Sequence, residues 1–170
     1  VALVIPIFIP HRGCPHQCLF CNQQSITGEN GGSGRFKSAI GRTIEEWLAR
    51  SPGRSGVQVA FYGGSFTCLA VEEQVDLLSS VRSFLDSGRV ESIRLATRPD
   101  CIDRDVCRLL LEFGVKTVEL GVQSMDDRVL KKSRRGHTVL HSVEAFRLLR
   151  DAGMEVGIQL MIGLPAETTG

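Results

Sequence analysis

Residues 11–23, HRGCPHQCLFCNQ, set Cys14, Cys18 and Cys21 within one short stretch directly after an apolar run. Three thiols are too many for one disulfide and one short of a closed tetrahedral zinc site. Thiolates are soft ligands, suited to zinc or to iron–sulfur clusters. A compact loop carrying three of them can hold three irons of a [4Fe–4S] cube and leave the fourth iron open to a small molecule. Two other arrangements use the same residues: a zinc site completed by His11 or His16, or three thiols with no shared role.

The elements that must position this loop follow from periodicity. Apolar runs suited to strands cover 2–9, 57–62, 92–97, 116–122 and 155–162. Three of them are nearly continuous in apolar residues, as in parallel sheets covered on both faces. Pro6 cannot donate to a ladder, which places the first run at a sheet edge. Helical spacing predicts helices over 40–50, 71–85, 103–113 and 140–152, with Gly114 and Gly153 as left-handed caps. Residues 28–36, GENGGSGRF, read as a flexible loop and not a phosphate loop, since no Gly-Lys-Ser/Thr follows. The alternation of strand and helix requires right-handed crossovers and a parallel sheet, either doubly wound or barrel-like. The unusual residues cluster after strand ends: HRGCPHQCLFC, GGSF, RPD, QS and GLP. Five strand ends converging on one mouth favour the barrel.

Composition is ordinary: 170 residues, 42% hydrophobic, 23% charged, formal net charge +1. The balance gives no general electrostatic case for nucleic acid or membrane. No apolar run reaches the length of a membrane span, and the opening VALVIPIFIP lacks the flanks of a signal peptide. The six cysteines are not spaced as a disulfide framework, which indicates a reducing, cytoplasmic compartment. Cys68, Cys101 and Cys107 lack cluster spacing and are expected as ordinary buried thiols. Without an initiator Met, and stopping at GLPAETTG, the sequence reads as part of a longer chain.

The ordered set GCPHQCLFCNQ, FYGGSFT, TRPD, ELGVQSMDDRVL, RRGHT and LMIGLPAET resembles the radical S-adenosylmethionine (SAM) superfamily. Within it, the set is similar to the branch of the Elongator catalytic subunit, with oxygen-independent coproporphyrinogen oxidase more distant. The resemblance implies an α/β fold, a partial (β/α) barrel spanning 1–170 and truncated after its fifth strand. A sixth strand and any C-terminal domain would lie outside it. It implies a [4Fe–4S] cluster and SAM as cofactors. In that chemistry the reduced cluster cleaves SAM to a 5′-deoxyadenosyl radical, which abstracts hydrogen from substrate.

By the same resemblance Cys14, Cys18 and Cys21 match the cluster ligands, and Phe20 the aromatic position near adenine. Gly63, Gly64 and Ser65 match the turn at the methionine end of SAM. Glycines there let backbone groups approach closely, and a plain β–α turn needs the same residues. Gln123, Arg135 and Gln159 match polar SAM contacts, with Gln159 where an acidic residue is common. Arg135 could meet a carboxylate as a fork, or belong to a solvated run, KKSRR. Glu119 faces SAM or pairs with a buried cation. His137 touches a ligand or precedes the helix cap at Thr138. Ser124 suits a turn, and Ala96 stands where a glutamate is common. The implied function is radical chemistry on a tRNA base, with a reductase such as flavodoxin or ferredoxin as partner and no membrane. The alternatives are a tetrapyrrole or other small metabolite as substrate, or a non-catalytic cluster or haem carrier.

Overall fold

The structure, a computed structural model, describes residues 3–9, 14–21 and 33–168, with 33–38 described by backbone alone. Its strands are β1 (Val4–Phe8), β2 (Gln58–Tyr62), β3 (Ser92–Thr97), β4 (Val115–Gln123) and β5 (Glu155–Leu160). They form one parallel sheet in the order β1-β2-β3-β4-β5. A doubly wound sheet reverses its strand order at a switch point. This one does not, so right-handed crossovers place every connecting helix on the same face. The result is the wall of a partial (β/α) barrel. Pro6 lies in β1, which among the described residues pairs with β2 alone and forms the sheet edge, so its missing N–H leaves no gap in the sheet interior.

The helices are α1 (Ser33–Arg50), α2 (Val71–Ser79), α3 (Arg82–Asp86), α4 (Arg104–Glu112), α5 (Asp127–Lys132) and α6 (Val139–Asp151). Three differ from expectation. The chain is already helical at Ser33, so the loop expected over 28–36 ends sooner; its residues 28–32 lie outside the described set. The single helix expected over 71–85 is broken into α2 and α3 at Ser80 and Val81. There the Ser80 hydroxyl donates to the Leu77 carbonyl, a side-chain competitor for the helical ladder. Leu78 and Val81 are both fully buried, so the apolar period runs through the break and conceals it. The short α5 was not anticipated; Asp126 caps it by accepting from the Arg128 amide at 2.7 Å. Gly114 and Gly153 adopt φ of +79° and +83° after α4 and α6, as their positions suggested.

The core lies between sheet and helices. Ile5, Ile7, Val59, Phe61, Ile93, Leu95, Val118 and Leu120 project outward to meet Ile40, Ile44, Leu78, Leu110 and Leu149. The opposite face lines open space instead, contrary to the expectation from the continuous runs. On the helix side the last strand is left bare: Ile158, in register with Leu120, is 47% exposed and Leu160 59%.

Cys68 and Cys101 are joined in a disulfide, with Cα atoms 5.3 Å apart, correcting their reading as ordinary buried thiols. They end the 3-10 turns Phe66–Cys68 and Pro99–Cys101, which follow neighbouring strands β2 and β3. Their separation of 33 residues hid a closeness that only strand pairing creates. Cys107 is free and buried, and burial followed by the nearby Asp103 charge pushes its thiol pKa up.

Candidate functional site

A cavity of about 800 Å³ opens at the C-terminal ends of the strands. The loop after β1 contributes Cys14, Cys18, Phe20 and Cys21. The turn after β2 contributes Gly64 and Ser65, β4 contributes Glu119 and Gln123, the α5–α6 connection Arg135, and β5 Gln159. Gly63 does not line it. That residue makes the turn at φ +90°, and a Cβ there would meet the Ile9 carbonyl at 3.3 Å, so its job is to let β2 turn against β1.

Two thiol sulfurs are met by hydrogen-bonding groups. Cys14 Sγ lies 3.1 Å from Ser65 Oγ. Cys18 is 7% exposed, and its Sγ accepts from Arg135 Nη1 at 3.6 Å. Arg135 Nη2 donates to the Gly121 carbonyl at 2.6 Å. Arg135 is itself only 7% exposed, so it is no part of a solvated charge run. Its guanidinium is partly engaged: each terminal nitrogen makes one hydrogen bond, and Nε is buried without a partner. The loop is further tied down where the Leu19 amide donates to the Ser133 carbonyl at 3.1 Å.

Buried polar atoms are normally hydrogen-bonded. Gln123 Oε1, Arg135 Nε and Arg98 Nη1 are buried without partners, and all three residues line the cavity. Gln123 has φ of +71° beside a register shift in β4, a strained conformation for a side chain with a Cβ. Its amide nitrogen reaches Gln159 Oε1 at 3.4 Å. Glu119 faces the cavity and is paired with a cation at the same time. It lines the cavity, while its Oε1 accepts from Tyr62 at 3.1 Å and Arg94 at 3.2 Å. Burial, with Glu119 adding to it, raises the Tyr62 phenol above its ordinary pKa. Ala96 pairs in register with Glu119 and leaves room beside it.

Arg98, the arginine of TRPD, adds a side chain that sequence reasoning missed; its only sequence signal is an arginine at the end of a strand. It is 1% exposed. Nε and Nη2 grip the Asp100 carboxylate at 2.9 and 3.1 Å, and Nη2 also donates to the Arg135 carbonyl at 2.6 Å. Burial alone would raise the Asp100 carboxyl, but Arg98 outweighs it and holds it below the usual range. His16 Nε2 and His137 Nδ1 each stand 4.0 Å from Asp100. His137 is buried behind the cavity, with Nε2 3.1 Å from the Val122 carbonyl, and Thr138 is the N-cap of α6. Burial first, then Arg135 and Arg98, lower its pKa to about 4, so its ring is neutral at pH 7. Ser124 accepts from the Asp126 amide at 3.2 Å, which makes it a turn residue. Among the described residues no three His, Cys, Asp or Glu side chains gather where one metal ion could sit; His11 lies outside them.

The family model of the radical SAM superfamily matches residues 8–169. A tRNA uridine(34) acetyltransferase from Methanocaldococcus infernus is 38% identical over 99% of this chain and 38% of its own. The oxygen-independent coproporphyrinogen-III oxidase-like protein HemZ of Bacillus subtilis is 31% identical over 96% of this chain and 34% of its own. Coproporphyrinogen III oxidase (HemN) from Escherichia coli, described as a radical SAM enzyme, superposes with a TM-score of 0.71. It is 22% identical, over 98% of this chain and 38% of its own. The chain thus spans a little over a third of the length of these proteins. A thiol-bearing loop after β1, a parallel barrel wall that aims it at a polar cavity, and a match across almost all 170 residues agree: the chain belongs to the radical SAM superfamily.

Proposed function

We propose that this chain is the cofactor-binding core of a radical SAM enzyme that modifies tRNA. One observation carries the cofactor reading: three thiols of one loop line a single cavity with Gln123, Arg98 and Arg135, each of which holds a buried polar atom without a partner. Its volume is in the range that encloses a small organic ligand. The donor set fits a cluster better than a lone ion. A cube presents its irons at separate corners, so its thiolates need not converge on one point. Cys14, Cys18 and Cys21 would hold the [4Fe–4S] cluster. Phe20, Gly64, Ser65, Gln123, Arg135 and Gln159 would hold SAM, with Glu119 below them. When bound, the two cofactors supply an electron and a carbon-centred radical able to abstract hydrogen. The chain's own residues orient and enclose. Arg135 would offer a donor to an anionic group. Gln123 Oε1 offers an acceptor to an ammonium or hydroxyl.

The tRNA assignment is supported by the 38%-identical acetyltransferase relative. A tetrapyrrole substrate is the second reading, supported by the HemZ likeness. A low-potential one-electron donor, a flavodoxin or ferredoxin, would serve either in the cytoplasm. The additional length of the relatives would supply a strand to the open side of β5 and the substrate site. The test is the full-length protein, reconstituted anaerobically with iron and sulfide. We expect about four irons and four sulfides per chain, and SAM cleavage to 5′-deoxyadenosine coupled to a change in added tRNA. Stoichiometric zinc without sulfide overturns the cofactor reading. Coupling to coproporphyrinogen but not tRNA overturns the substrate.

A further inference from the structure

We propose that Arg98 is a positioning residue for the cluster loop: through the Arg135 carbonyl it fixes the Arg135 guanidinium against Cys18 Sγ and so sets the cluster's reduction potential. The proposal rests on the cluster reading above. The chain of contacts is continuous. Asp100 holds the Arg98 guanidinium by two hydrogen bonds, at 2.9 and 3.1 Å. Arg98 Nη2 then donates to the Arg135 carbonyl at 2.6 Å, which fixes the backbone of the α5–α6 connection at that residue. From there Arg135 reaches back with Nη2 on the Gly121 carbonyl at 2.6 Å and Nη1 on Cys18 Sγ at 3.6 Å. Gly121 leaves room for the device: a Cβ there would stand 2.9 Å from Arg135 Nη2, and as close to Gln123 Nε2. The same connection receives the cluster loop elsewhere: Leu19 donates to the Ser133 carbonyl, and the His16 ring lies where a Cβ on Gly136 would be.

The electrostatic consequence follows from burial. Arg98 and Arg135 are 1% and 7% exposed, and water screens neither well. A guanidinium hydrogen-bonded to a thiolate ligand stabilises negative charge on that sulfur. Reduction adds one electron to the cluster, so a donor fixed at the sulfur favours the reduced state and raises the potential. Arg98 makes no hydrogen bond to the thiol; its guanidinium is held on Asp100 and on the Arg135 carbonyl. It acts through where it holds Arg135.

The experiment uses the full-length protein reconstituted anaerobically without SAM. The cluster's one-electron reduction is titrated and followed by electron paramagnetic resonance. Arg135→Gln should lower the potential by about 59 mV, a tenfold shift in the one-electron reduction equilibrium. Arg98→Lys, which keeps the charge and loses the fork, should lower it by a similar amount while iron content stays near wild type. The double variant should go no lower than Arg135→Gln alone, since both changes act on one contact. Gly121→Ala displaces Arg135 from the other side without touching Arg98, and should reproduce the shift even if Arg98→Lys does not accumulate folded. A wild-type potential in Arg98→Lys, alongside a shifted Arg135→Gln, overturns the positioning role and leaves the cluster reading standing; a wild-type potential in Gly121→Ala overturns the placement of Arg135 on which that role depends. Wild-type protein that takes up no cluster overturns that reading, and the proposal with it.

Discussion

The two faces of the sheet are built from alternate residues of the same strands, and they share almost nothing else. The helix side carries Val59, Phe61, Ile93, Leu95, Val118 and Leu120, all buried in one apolar cluster. The barrel side carries Gln58, Tyr62, Arg94, Thr117 and Glu119, linked by hydrogen bonds to one another and to Ser92 and Glu155. Small residues stand among them: Ala60, Ala96, Gly121 and Gly157. One face removes apolar area from water and stabilises the fold. The other keeps open space lined with donors and acceptors. A period of two along the strand therefore separates stability from chemistry residue by residue.

That separation can be broken most directly at the mouth. Replacing any one of Cys14, Cys18 or Cys21 with Ala should strip most of the iron from reconstituted protein while leaving the unfolding midpoint of the metal-free chain nearly unchanged; iron analysis and denaturant melts check both halves. Next in size are neighbours within β3. Leu95→Ala should cost ~2–5 kcal/mol of stability, because it deletes a fully buried side chain. Ala96→Leu, one residue on, should move stability by less than ~1 kcal/mol and weaken SAM binding at least tenfold, as read by equilibrium dialysis. Comparable destabilisation by both would mean that the barrel side is packed as tightly as the helix side. Glu119→Gln sharpens the same point. Its ion pair with Arg94 is about one third exposed and worth ~1 kcal/mol or less, so melting should barely change while SAM affinity falls.

A smaller effect concerns pH. The His137 ring has its folded pKa lowered from 6.5 to about 4. Between those values the unfolded chain binds a proton that the folded chain does not. Stability therefore falls as pH drops from about 6.5 toward 4, and is recovered above 6.5. Denaturant midpoints at pH 7, 5.5 and 4.5 should show this slope, and His137→Gln should flatten it. An unchanged slope in that variant would assign it to other groups.

Strand positions, the edge placement of Pro6 and the glycine caps were legible because each is a local signal: a period, a missing donor, a left-handed turn; ten of the cavity-lining residues were legible through the family resemblance of the motifs that hold them. What was not legible depends on strand pairing. Arg98 sits in a motif that was noticed, but its partner is the carbonyl of Arg135, 37 residues away, and a backbone acceptor carries no side-chain signature. Gly63 reads as a cofactor contact because it adjoins Gly64 and Ser65; those two line the cavity, whereas Gly63, at φ +90°, makes the turn. The break at Ser80 was invisible because Val81 keeps the apolar phase of the helix before it.

The Cys68–Cys101 bond joins the turn that begins at Ser65, beside Cys14, to the turn that begins at Arg98. Its presence makes the history of a preparation part of its chemistry. A sample handled in dithiothreitol carries two additional thiols next to the cluster loop. Once deprotonated, they are competent to collect iron during reconstitution. A sample handled without it offers iron only the intended ligands and the buried Cys107. Iron counts from the two should differ, and alkylation of the denatured chain before loading would tell which molecule is in the tube.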